Sequence, residues 1–228
     1  MTSFSRSLFP FAQGLLLAGA LMTVPVLHAS RSGLNNIPTA DVSAPRVAVV
    51  HVYSAAGPGR ETSFLTGVRT GFSLGEQKFE AGVDSRWGPG AAVPAFFNAK
   101  WSLPAKPAGS ALALGIASLA PDRRRFGQPQ SYGGVTHDFG LARVTAGYAV
   151  QAGNNAGFAG LDRKFMVHGR PLVLRGDILE IQDGRHWLSS LGLTYRLNSS
   201  VGIELWQSHP TGPARDYTTV KLAGYIPF

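Results

Sequence analysis

From residue 46 to the C-terminus, apolar and polar side chains alternate with a period of two. In "KFEAGVDSRW" (78–87) one face carries Phe79, Ala81, Val83, Ser85 and Trp87, and the other Glu80, Gly82, Asp84 and Arg86. The last twelve residues, "YTTVKLAGYIPF", set Val220, Leu222, Gly224, Ile226 and Phe228 against Thr219, Lys221, Ala223 and Tyr225. A period of two predicts strands whose two faces meet different surroundings. No 3.6-residue period of useful length competes with it, and no apolar run after residue 29 is long enough for a membrane helix.

About twelve such segments follow one another, each roughly nine residues long, which is what a tilted strand needs to cross a bilayer. Connections after even-numbered strands are compact ("SLGEQ", "PAKPAG", "HDFG", "MVHGR", "LNSS"). Those after odd-numbered strands tend to be longer and richer in Gly, Pro and Arg ("AAGPGRETS", "WGPGAAVP", "PDRRRFGQPQ", "HPTGPARD"), with "GNNA" and "DGR" as short exceptions. Alternating short and long connections are expected of an outer-membrane barrel. A soluble β protein would also alternate, with its apolar face inward. Against that stand aromatics near predicted strand ends (Trp87, Trp101, Tyr132, Phe139, Trp187, Tyr195, Phe228) and a polar face crowded with glycine and closely spaced charges. The expected fold is all-β: a transmembrane antiparallel up-and-down β-barrel of about twelve strands over residues 46–228.

Composition sharpens this. Charged residues are 15% of the chain, below the roughly 25% of soluble domains. There is no cysteine, which excludes disulfides, thiolate metal sites and a cysteine nucleophile. Residues 1–29 read as a cleaved secretory signal peptide: one charge (Arg6), the apolar run "GLLLAGALMTVPVL", and small residues up to Ala29. Residues 30–45, "SRSGLNNIPTADVSAP", read as an irregular lead-in at the periplasmic mouth or inside the lumen, where Asn35, Asn36 and Asp41 could meet inward arginines.

The terminal strand, with Val220, Leu222 and Ile226 alternating and Phe228 last, resembles the assembly signal of bacterial outer-membrane proteins. The resemblance implies recognition by the barrel-insertion machinery and residence in the outer membrane. Pro227 departs from the pattern because it has no N–H to offer the seam. A second, shorter resemblance lies in "GLNNIPTADV", which is similar to the opening of larger barrels linked to exopolysaccharide export.

The interior face is expected to carry Arg69, Glu80, Asp84, Arg86, Lys100, Arg143, Asp162, Arg175, Asp177, Arg196, Glu204 and Lys221. With Gly75-Glu76 as a two-residue hairpin loop, Arg69 falls opposite Gly82, diagonal to Glu80 and Asp84. These residues form either a structural ladder of ion pairs or a basic track that passes anions. Catalysis is not expected. His137 and Asp138 are strand neighbours pointing to opposite faces, His51, His186 and His209 are isolated, and nothing calls for a metal or cofactor. The "DRRR" cluster (Asp122–Arg125) is a solvated loop or a partner for lipopolysaccharide phosphates. The basic excess has no aromatic-interleaved patch of the kind nucleic acid needs. The sequence therefore reads as a small passive channel favouring small anionic solutes, with a plugged or closed barrel in a structural or envelope-polysaccharide role as the alternative.

Overall fold

The computed structural model describes residues 33–58, 63–88, 95–120, 129–152, 155–181 and 185–228. The signal segment 1–29 and the Asp122–Arg125 cluster lie outside them. Twelve strands follow in chain order: β1 (Val47–Ala56), β2 (Ser63–Leu74), β3 (Gln77–Trp87), β4 (Ala95–Ala105), β5 (Ser110–Leu119), β6 (Gln130–Asp138), β7 (Arg143–Val150), β8 (Ala156–Val167), β9 (Arg170–Ile181), β10 (His186–Arg196), β11 (Val201–Pro210) and β12 (Tyr217–Pro227). Each pairs antiparallel with its chain neighbours, and β1 pairs with β12 to close the barrel. Closure leaves no strand edge to expose unpaired backbone to lipid.

The register follows from the turns and the two-residue period. Gly75 (φ 60°) allows the two-residue β2–β3 turn, which sets Leu74 opposite Gln77 and Arg69 opposite Gly82. Even-numbered strands are followed by turns at 75–76, 106–109, 139–142, 168–169 and 197–200; odd-numbered ones by connections at 57–62, 88–94, 120–129, 151–155, 182–185 and 211–216. The shorter set marks the periplasmic rim. A bulge in β5 sets Ala117 and Ser118 (φ 55°) opposite the single residue Asn98 of β4, whose Oδ1 accepts the Ser118 N–H at 3.0 Å.

Polarity is inverted relative to a soluble protein. The exposed outer wall carries Val50, Val68, Leu114, Val135, Leu161, Leu191, Val220 and Leu222. The buried interior carries Arg69, Glu80, Lys100, Asp162, Arg175 and Lys221. Aromatics ring the outer wall at both ends. Phe72, Phe79 and Trp101 stack at the periplasmic side, with centroids 5.1 and 6.3 Å apart. Trp87 at the other rim donates its indole N–H to Thr66 Oγ1 at 2.9 Å. Tyr132, expected in this girdle, instead faces inward and is buried, because it shares parity with Thr136 on β6. Arginine placed at Val83, on the outer face of β3, is expected to destabilise the barrel by about 2–4 kcal/mol in lipid unfolding titrations.

Residues 33–45 form no strand. Leu34 N–H bonds Ile37 O at 3.0 Å, making a tight reversal bridged by Gly33 and Pro38. Leu34 through Ala40 are buried inside the barrel. The chain leaves beside Gly71 through a bridge at Pro45, and Arg46 (φ 58°) turns it into β1.

Candidate functional site: the occupied lumen

The period of two brings all twelve predicted charges to the interior face, where they sort into groups on different sectors of the wall. On β2–β4, Glu80 lies 3.8 Å from both Arg69 Nε and Lys100 Nζ. Its Oε2 also accepts from Ser43 N–H (2.8 Å) and Ser43 Oγ (2.7 Å). Lys100 Nζ donates to Thr39 O (3.2 Å), and Ser102 Oγ donates to Ala40 O (2.6 Å). On β6–β8, Arg143 makes a two-pronged pair with Asp162, both contacts 3.0 Å, and spends its remaining nitrogen on Asp41 (2.8 Å). Beside it, Thr136 Oγ1 receives Ala40 N–H at 2.9 Å.

On β9–β12, Asp177 accepts Asn36 N–H at 2.8 Å, while the Asn36 amide donates to Ser190 Oγ and, at 3.4 Å, to Ser208 Oγ. Glu204 bridges Arg175 (2.5 Å) and Lys221 (3.1 Å). Above β1–β4, Asp84 is held by His51 Nε2 (3.1 Å) and Asn98 Nδ2 (2.6 Å). Arg86 and Arg196 lie toward opposite mouths, half-buried. Such bonding is what buried charge requires, since an unpaired ion in this setting costs several kcal/mol.

The lead-in is therefore fastened on both sides. Asn36 is bound at β9–β11 and Ser43 at β3; β3 and β9 stand six places apart in a ring of twelve, so the segment crosses from one wall to the opposite one. Its reversal also carries an apolar pair. Leu34 and Ile37 pack with Tyr132, Ala149, Ala156, Phe158, Leu179, Ile181, Leu188 and Tyr217, a buried apolar cluster in the extracellular half of the lumen. The fit depends on Gly160: a Cβ there would stand 2.5 Å from Leu34 Cδ1 and 2.8 Å from Ile37 Cδ1.

Sequence reasoning missed this cluster, because it attended to the charges and not to the apolar residues of equal parity: Leu179 and Ile181 continue the face of Asp177. It also treated His51 and His209 as isolated, whereas cross-strand neighbours place His51 on Asp84 and His209 Nδ1 lies 2.8 Å from Asp216 Oδ2. His137 is outward-facing and bonds Ser110 Oγ at 2.7 Å, while Asp138 accepts Gly140 N–H in the turn. No His–Asp dyad arises from that pair. Val220, Leu222 and Ile226 of the terminal strand face outward, and Phe228 sits at the periplasmic rim with its N–H on Arg46 O at 3.0 Å. Pro227, opposite Val47, is flanked by this bond, so the seam continues past the residue that cannot donate.

Closed antiparallel sheet, lipid-facing belt and polar interior define a bacterial outer-membrane β-barrel of porin-like architecture. No family model and no curated protein matches the chain. Solved structures do. A KdgM porin structure is similar at a TM-score of 0.58 and 8% identity, covering 78% of this chain and 99% of that one. The KdgM porin in complex with disordered oligogalacturonate matches at 0.55 and 7%, covering 79% and 99%. Outer membrane phospholipase A from Escherichia coli matches at 0.51 and 11%, covering 90% and 98%. These likenesses establish the fold; a fold shared by a porin and a phospholipase does not choose between channel and enzyme.

Proposed function

We propose that the protein is a porin-like outer-membrane barrel held shut by its own N-terminal lead-in, and that displacing this segment opens a narrow passage favouring small anions. The open-channel and plugged readings then describe two states of one molecule. The observation that carries the closed state is the bonding of residues 33–45 to opposite walls, with a buried apolar cluster above them. An apolar constriction resists wetting and so blocks ions without a covalent barrier.

Support for anions comes from the wall itself. Seven cationic residues (Arg69, Arg86, Lys100, Arg143, Arg175, Arg196, Lys221) face five acidic ones (Glu80, Asp84, Asp162, Asp177, Glu204), and leaving the lumen removes Asp41 as well. Low-dielectric walls focus even a small excess. The KdgM porin, whose fold is similar, has been seen with oligogalacturonate, a polyanion.

Conductance in planar bilayers tests both parts. The full-length barrel is expected to be silent, and deletion of 33–45 to produce channels with an anion-leaning reversal potential that decays with added salt as screening shortens. Steady conductance by the full-length protein would refute the closed state. A cation-leaning deletion variant would refute the anion preference.

A further inference from the structure

At the periplasmic mouth a cavity of about 450 Å³ opens beneath the lead-in, lined by Arg69, Arg196, Tyr225, Ser43, Val47 and Pro227 among others. Arg196, at the end of β10, stands over the ring of Tyr225 of β12 with its guanidinium carbon 3.4 Å from the ring centroid. Gly202 of β11 sits between the two strands. A Cβ there would meet the Tyr225 ring at 3.3 Å and Arg196 Cδ at 3.5 Å, so the glycine leaves the space in which the stack lies. Among the described residues no carboxylate lies within ion-pair distance of Arg196. Its neighbours up the lumen, Arg175 and Lys221, are both matched to Glu204.

We propose that this vestibule binds a carboxylated sugar residue presented from the periplasm. A guanidinium stacked on an aromatic ring keeps its N–H edge in plane and free, and that edge matches a carboxylate in two-pronged fashion. Arg69 is already engaged with Ser43 Oγ (3.2 Å) and Glu80 (3.8 Å), and it adds positive potential on the cavity's other side. Val47, Val49 and Pro227 offer an apolar wall for the C–H face of a pyranose, and Ser199 offers a hydroxyl. The volume lies in the range of small-molecule pockets and exceeds the need of a bare inorganic anion. The roof is Val42–Ala44, so the site rests on the lead-in occupying the lumen as proposed above.

The test is calorimetric titration of the full-length barrel in detergent with galacturonate, galactose and sulfate. Galacturonate is expected to bind saturably, and galactose and sulfate at least about tenfold more weakly, since one lacks the charge and the other the ring. Arg196→Ala should weaken galacturonate at least about tenfold, Arg196→Lys less, and Tyr225→Leu measurably, while Arg163→Ala on the outer wall leaves it unchanged. Heat-modifiable gel mobility reports folding of each variant. Galacturonate binding indifferent to Arg196→Ala in a folded barrel, absent altogether, or matched by galactose or sulfate would overturn the site. Conductance reads the gate separately: a silent barrel that binds no galacturonate refutes the vestibule alone.

Discussion

Deleting Phe228 is expected to lower the amount of protein in the outer membrane several-fold while export to the periplasm continues unchanged. The folded barrel has little reason of its own to need this residue. Its loss removes one seam hydrogen bond, Phe228 N–H to Arg46 O, and one exposed ring at the rim. A single hydrogen bond contributes about 0.5–1.5 kcal/mol, and the remaining seam runs through ten paired positions from Val47↔Pro227 to Ala56↔Thr218. A large fall in membrane level would therefore report recognition of the terminal strand during assembly, not stability of the product. Quantitative blotting of outer-membrane fractions gives the answer. Wild-type levels of the truncated chain would remove Phe228 from the assembly signal.

Glu80→Ala should be among the most destabilising single changes in the barrel, at about 3–5 kcal/mol by urea unfolding in lipid. One carboxylate holds two functions there. It faces Arg69 and Lys100, both buried, and it accepts two bonds from Ser43 of the lead-in. Alanine leaves two buried cations without their shared counter-charge and unfastens one end of the segment that crosses the lumen. Glu80→Gln keeps an acceptor for Ser43 but not the charge, so it should fall between alanine and wild type. Glu76→Ala, on the exposed β2–β3 turn, should stay within about 0.5 kcal/mol of wild type. Equal effects at 76 and 80 would mean that the interior pairs contribute nothing specific.

The barrel was legible because a period of two assigns every residue of a strand to one of two faces at once. Fixing one charged residue, such as Asp84, fixes Glu80 and Arg86 with it, and the Gly75-Glu76 turn transfers that assignment to Arg69 on β2. What the pattern could not convey is which interior residues touch. Asp177 meets the backbone of Asn36, 141 positions away, and Arg143 meets Asp41 across 102. The path of residues 33–45 has no periodicity to read, since it is set by tertiary bonds and not by local conformation. The apolar filling of the upper lumen was hidden for another reason. Phe158, Leu179 and Leu188 resemble lipid-facing residues in type, and only their parity with Asp162, Asp177 and Ser190 places them inside. Tyr132 was misplaced by the same confusion, an aromatic near a strand end being read by type and not by face.

The central claim, that the lead-in lies across the lumen in the folded protein, is most directly tested by cysteine labelling, for which the cysteine-free chain is suited. Ile37 is fully buried between the lead-in reversal and the wall, whereas Glu76 is exposed on a periplasmic turn. In folded barrels a membrane-impermeant maleimide should modify Glu76→Cys at once and Ile37→Cys only after unfolding in urea. Modification of Ile37→Cys in the folded barrel at the rate seen for Glu76→Cys would contradict the account, because the segment would then be outside the lumen.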